Sequence, residues 1–587
     1  MGKHNKYTLD KNKAFVNPYN FVQLSDGKNS RVVDKNYSSD LLSGVLNCRL
    51  TVKSPLAILD TDNRSEDKKG HPAYSFYRID NKCAIPGSSI RGCVRSMYET
   101  VTNSCLSTLA ENSFLSNRVQ PKDVYKPGIL MKKDGGWDLF KAERLCVKDK
   151  ASNPDGFRGI SVGGEFLKLG DPVVCREMDG FAEDINKYDG EDAKYFLYVG
   201  EKFSKKKYES VFKKGKQIDV DEDELKAAIN GLRYGVFNNY QNPSINRNLN
   251  KDHTGYKAFE EAEEKGVIPV WYSRSGKILS LSMAAIGRKV YHHTVSDLVG
   301  DYYKPCEPTK GERLNVCPAC RLFGSEKKDG LGSRIRFSDA LIVGEEKLKE
   351  NVTLKELATP RPGYLQFYAL KGIDYDESGA MIRGRKFYWH NPQACKSEEP
   401  YCAKEETKRN ATVELMEAGE FSFNVYFDGI TEEELKSLEW ILCLSDNSKD
   451  SRICYKIGHG KPLGLGSVKI CVEKESIRSF SPEGGYLMSA SDNISFDNDS
   501  PQIVDDDAWS QLEKILNFDF LEGADIKYPY VCPESGDCQG RANDSANHHW
   551  FSENKSKANG NVPKLLPSLE SGNEKRDFEL HPYKFNK

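Results

Sequence analysis

Two stretches of this chain, more than 300 residues apart, each read as a strand running into a helix. In the first, a strand over 48–59, Leu50 and Val52 alternate with Arg49, Thr51 and Lys53, giving one apolar and one polar face. A polar loop follows, LDTDNRSEDKKGH. Pro86 and Gly87 then punctuate, Ser88 or Ser89 stands where a helix cap belongs, and Ile90, Val94, Met97 and Val101 fall on one helical face. In the second stretch Phe421, Phe423, Val425 and Phe427 alternate with polar residues. Thr431 and Glu434 make a capping box, and Leu435, Leu438, Ile441 and Leu442 form an inward stripe. The loop GHGKPLGLG then enters a strand with Val468 and Ile470 on one face.

This split β-α-β…β-α-β pattern is the ferredoxin-like (RRM-like) arrangement, so the expected class is α+β. At 587 residues the chain is too long for one ordinary core. The expected organisation is an N-terminal arm (1–46), the first half of the core (47–104), an insertion (105–300), a Cys knuckle with the second half (301–475), and a C-terminal extension (476–587). The extension is Ser-, Asn-, Asp- and Gly-rich, with an acidic run at Asp505, Asp506 and Asp507, and is expected to be looser than the rest.

Basic and acidic residues nearly cancel, 85 against 87, so any contact with a polyanion must come from local clustering. No apolar run is long enough to span a bilayer, and the start, MGKHNKYT, lacks both a signal-peptide core and the Ser or Thr of a myristoylation site, Lys6 standing there. A cytoplasmic protein without membrane contact is expected. In such a compartment the 16 cysteines are buried thiols or metal ligands. The tight group is Cys306, Cys317 and Cys320: three soft ligands for a structural zinc, with His293, or else His292, as the fourth.

Three other features could carry chemistry. The loop Gly458–Gly466 either brings backbone close to a phosphate, with His459 and Lys461 beside it, or is a tight turn. The loop holding Asp60, Asp62, Glu66 and Asp67 is either a site for a hard cation or a solvated surface. In 203–216, Lys205, Lys206, Lys207, Lys213, Lys214 and Lys216 interleave with Phe203, Tyr208 and Phe212, as an RNA groove or an amphipathic face.

The string Ala84-Ile85-Pro86-Gly87-Ser88-Ser89-Ile90-Arg91-Gly92 resembles the motif at the first helix of RAMP proteins, which form the backbone of type III CRISPR effectors. Cys317-Pro318-Ala319-Cys320-Arg321-Leu322-Phe323-Gly324, Arg334 to Ala340, Thr359-Pro360-Arg361 and Gly458 to Val468 resemble further segments of that family, in the family's order. The resemblance covers 48–104 and about 285–472, and the start and insertion are similar to a longer branch. It implies a subunit binding guide RNA and target RNA beside other CRISPR effector subunits. Gly87, Ser88, Ser89, Arg91, Arg95, Arg361, His459, Lys461, Gly464 and Gly466 would face RNA. It also implies cleavage of target RNA by Asp60 or, next, Asp62, with magnesium or manganese. Two alternatives remain: a non-catalytic scaffold or end subunit, and a metal-independent ribonuclease processing guide precursors, with His459 as its acid–base group.

Overall fold

A computed structural model describes residues 7–25, 41–118, 125–148, 160–198, 208–241, 254–275, 278–283, 288–308, 316–326, 330–357, 359–444, 452–480, 486–491, 500–532, 544–555 and 562–585. Four long strands form the centre of the largest sheet: β1 (Leu42–Val52), β2 (Ala340–Thr353), β3 (Thr412–Ile430) and β4 (Ser467–Phe480). Their order is β4-β1-β3-β2, each neighbour antiparallel. The register pairs Leu50 with Phe421, Cys48 with Phe423 and Leu46 with Val425, so the alternating apolar sets of two distant segments meet on one face. Gly44 faces Phe427, and a side chain there would collide with the Phe427 ring and the Ser476 carbonyl.

That face is covered by α1 (Gly87–Val101) and α3 (Glu432–Leu442), whose stripes join a single core with the strands. The Tyr98 hydroxyl and Ser437 Oγ, 2.9 Å apart, connect the two helices. Two boundaries differ from the sequence reading. The first strand starts at Leu42 and stops at Val52, because Pro55 has no amide for the ladder; 56–59 makes only isolated bridges. Helix α1 begins at Gly87 with Pro86 as its cap, so Ser88 and Ser89 lie inside its first turn.

Described parts of the C-terminal extension pack on the rest of the chain. The acidic run is the start of α4 (Asp506–Leu516): Asp505 accepts from the Ala508 amide at 2.8 Å, and Asp506 and Asp507 sit at the positive end of the helix dipole. Helix α4 packs on the core, with Trp509 edge-on to Trp440 at 4.9 Å. The N-terminal segment is also tied down. Tyr19–Val22 pairs with Arg385–Tyr388 and Tyr7–Leu9 with Tyr583–Phe585, around an aromatic cluster containing Phe15, Tyr364, Phe367 and Trp550.

Between α1 and the Cys knuckle, strands from 126 to 282 build a separate eight-stranded sheet. Of the Lys–aromatic stretch, 203–207 lies outside the described residues, and Tyr208–Ile218 is a strand of this sheet. Phe212 is buried, stacked on Tyr198 at 4.9 Å, so it is not a free base-stacking ring. No helix among the described residues is long and apolar enough to cross a membrane.

Candidate functional site: four thiols, an acidic loop and a glycine-rich turn

The Cys knuckle folds as a short helix, α2 (Pro318–Phe323), with Pro318 at its first position and Cys317 as its cap. The Cys317 sulfur accepts from the Cys320 amide, and the Cys306 sulfur accepts from the Cys317 amide at 3.2 Å. The fourth group is the thiol of Cys105, just beyond α1; all four sulfurs are buried and lie within 4.8 Å of one another. Cys105 Sγ is 3.5 Å from Cys320 Sγ and 3.6 Å from Cys317 Sγ. A tetrahedron with Zn–S bonds of about 2.3 Å has edges of about 3.8 Å, so the thiols are spaced to hold an ion such as zinc.

The electrostatics argue the same way. Burial pushes the Cys317 thiol up, but hydrogen bonds from Cys105, Cys306 and Cys320 outweigh it and hold it well below the usual range. Cys306 is lowered by its bond with Cys105, while Cys105 and Cys320, cast as donors to their neighbours, are raised. Four thiolates in such contact need a cation to ionise together. His293 is not part of this group: its Nδ1 faces the Tyr375 carbonyl at 2.6 Å, and His292 Nε2 faces that of Leu279 at 2.8 Å. Both rings belong to the strand Arg288–Thr294, which pairs with Phe114–Arg118.

A polar shell fixes these thiols. Ser104 Oγ accepts from the Ala319 amide at 3.1 Å, and Arg385 reaches the carbonyls of Ser104 and Cys105 while pairing with Glu99 at 3.2 Å. Glu99 also holds Arg95 at 2.8 Å. Arg95 and Arg91 donate to the carbonyls of Gly324 and Phe323, at 3.2 and 2.6 Å, at the C-terminal end of α2. Both guanidinium groups therefore join α1 to the knuckle.

At the start of α1, the Gly87 amide donates to Asp339 Oδ1 at 2.7 Å, and a side chain at Gly87 would strike the Phe337 and Ser338 carbonyls. Ser88 is exposed and Ser89 half-buried. Arg361 is exposed, without a side-chain partner among the described residues.

The segment leading into the acidic loop meets the glycine-rich turn. Ala57 bridges His459, the His459 amide donates to the Ala57 carbonyl at 2.9 Å, and the Gly466 amide donates to Pro55 at 2.9 Å. Gly458, Gly460, Gly464 and Gly466 all have positive φ, so the turn is built on conformations L side chains avoid. Ser54 Oγ donates to the Gly464 carbonyl at 3.0 Å. His459 is half-buried with its pKa lowered by burial, and Lys461, half-exposed, has no ion-pair partner among the described residues.

Three residues past Ala57, the Asp60 carboxylate is buried and closes a turn. Its Oδ1 accepts from the amides of Asp62 and Asn63, at 3.2 and 3.3 Å, and its Oδ2 from Asn63 Nδ2 at 2.7 Å. Glu66 pairs with Arg64, and Asp67 accepts from the amides of His71 and Lys69, its pKa lowered first by His71. The Asp62 carboxylate is exposed and, among the described residues, unpartnered. His71 anchors the far end of the loop, with Nδ1 2.8 Å from the Thr407 carbonyl and Nε2 2.9 Å from Thr412 Oγ1. No sequence spacing pointed to His71, Arg385 or Cys105: each side chain meets its partners across more than 200 residues.

No curated protein matches this chain. The sequence profile described as the RAMP superfamily matches residues 49–469. That span runs from β1 through both halves of the central sheet to the start of β4, well over half of the chain. The protein belongs to the RAMP superfamily.

Proposed function

We propose that this chain is a guide-RNA-binding subunit of a type III CRISPR RNA-guided effector, built on a ferredoxin-like core with a large insertion. Membership of the RAMP superfamily carries the reading. The order β4-β1-β3-β2, with α1 and α3 on one face, is what the ferredoxin-like scheme requires. RNA is gripped through its backbone at the glycine-rich turn, where tight glycines allow close approach and Lys461 supplies charge, while base pairing supplies sequence. The four thiols hold a structural zinc, closed to chemistry because the protein fills every position.

Target cleavage is assigned to the acidic loop beside that turn. Asp62 presents the free carboxylate for a magnesium or manganese ion, which would neutralise the scissile phosphate, and Asp60 shapes the turn that presents it. The test uses the guide-loaded complex on complementary RNA with magnesium, comparing wild type, Asp62→Ala and Asp60→Asn. Asp62→Ala should lose cutting by at least about 100-fold with RNA binding nearly intact, since charge neutralisation supplies most of the rate. Equal cutting by Asp62→Ala overturns the site; a wild type that binds but never cuts leaves a scaffold subunit. Cutting that persists in EDTA and fails in His459→Ala would identify a precursor-processing ribonuclease.

A further inference from the structure

Part of the second sheet closes on itself. Gly136–Lys148, Pro172–Met178, Phe181–Lys187, Tyr195–Tyr198 and Tyr208–Ile218 pair in a ring, shut by the parallel bridge between Cys146 and Phe181; every other pairing is antiparallel. Leu145, Val147, Val173, Ala182, Leu197 and Val211 fill its interior. If the count starts at Tyr195–Tyr198 and treats the chain as a circle, the ring reads first, second, third, fifth, fourth, with the third and fifth parallel. That is the strand order of an OB barrel, opened between its second and third strands and rejoined between its fifth and first.

OB barrels hold single-stranded nucleic acid across their second and third strands, here Tyr208–Ile218 and Gly136–Lys148. The middle of that face is already filled: Phe212 packs on Tyr198 and Trp271, and Arg144 lies over Trp271. One end is open and basic. The Lys214 amide donates to the Lys194 carbonyl at 2.8 Å, and Gly215 sits so close to Lys141 that an added Cβ would be 3.2 Å from its carbonyl. Lys214 Nζ lies 5.5 Å from the centre of the Phe140 ring, and Lys216 follows two residues on.

Lys141, Lys194 and Lys216 are exposed and Lys214 half-exposed, and none of the four has an ion-pair partner among the described residues. Lys213, one residue away, is instead held by Glu177 at 2.7 Å. Asp192, which senses Lys194 and Lys214, takes the Tyr188 hydroxyl. Four ammonium groups with no ion pair among the described residues, Lys214 among them over the Phe140 ring, match a phosphate chain with a stacked base.

We infer that this corner of the barrel is a contact for single-stranded RNA, distinct from the glycine-rich turn and indifferent to sequence. The inference rests on the RNA-binding reading above for the nature of the strand. The test titrates the full-length protein with a labelled, unstructured RNA over a series of potassium chloride concentrations. Three forms are compared: wild type, the variant with Lys141, Lys194, Lys214 and Lys216 all changed to Gln, and the same four changed to Arg. The Gln variant should bind more weakly and flatten the slope of log K against log salt by about 3, at about 0.7 for each phosphate no longer neutralised. The Arg variant should keep the wild-type slope. Ultraviolet crosslinking of wild type should label peptides within 136–148 or 208–218, a readout independent of whether the variants fold. A Gln variant that binds like wild type, or crosslinks confined to other peptides, overturns the inference and leaves the RNA-binding reading standing. A wild type that binds no RNA overturns both.

Discussion

Lys456 is 8 % exposed, and its ammonium has no ion-pair partner among the described residues. Its Nζ is 3.4 Å from Ser467 Oγ, which lies 2.8 Å from His390 Nδ1, while His390 Nε2 is 3.0 Å from the Cys454 carbonyl. A carbonyl only accepts, so Nε2 carries the proton, Nδ1 accepts from the Ser467 hydroxyl, and that oxygen accepts from Lys456. Burial, aided by Lys461, lowers the Lys456 pKa to about 7, and burial holds His390 well below its usual range. Unfolded, Lys456 titrates near 10.4, so between about pH 7 and pH 10 the unfolded chain binds the extra proton. Stability therefore gains from this group as pH rises through that window, and below pH 7 its penalty is complete and constant. Lys456→Met should be more stable than wild type at pH 7, with the difference shrinking towards pH 10 in urea unfolding at several pH values. A difference independent of pH would show that the amine does not titrate as argued. Nothing in the sequence singled out this lysine, because the ring that completes its hydrogen-bond chain, His390, comes from a segment 77 residues from Ser467.

At the scale of elements, α3 shows what local pattern conveys and where it stops. Thr431 and Glu434 were legible as a capping box, and both of its bonds form: the Glu434 amide to Thr431 Oγ1 at 3.2 Å, and the Thr431 amide to Glu434 Oε2 at 2.9 Å. The same carboxylate takes Arg321 from α2 at 3.0 Å and Arg334 at 2.8 Å, in a site where its side chain is 4 % exposed. One residue thus starts a helix and ties it to the knuckle. Removing it leaves one buried and one half-buried guanidinium group, Arg334 and Arg321, without this partner, an effect far larger than a lost cap. Glu434→Ala should cost about 3–5 kcal/mol in chemical denaturation, against less than about 0.5 kcal/mol for the exposed Glu432→Ala. Equal losses would mean that the triad is no more than a surface pair.

Across the whole molecule, the four thiols join the end of α1 to a knuckle about 200 residues further along, with the second sheet strung between. A site assembled from such distant segments stabilises the fold only when the ion is bound. Purified protein should carry one zinc per chain, and Cys105→Ser should lower both metal content and stability as Cys317→Ser does, whereas His293→Ala should leave the metal in place. Elemental analysis with thermal melts decides it: full zinc in Cys105→Ser removes Cys105 from the site. The strands and helices of the core were legible locally, apart from their ends, since alternation at Phe421–Phe427 and helical spacing at Ile90–Val101 are local consequences of having one buried face. The sequence also disclosed three of the four thiols, which lie within one short segment. The fourth thiol, the turn that occupies Asp60, the knuckle carbonyls that engage Arg91 and Arg95, and the closing of five strands of the second sheet into a ring were set by tertiary contacts. Each depends on which distant segment comes to lie beside a residue, and only the packing of the sheets and helices sets that.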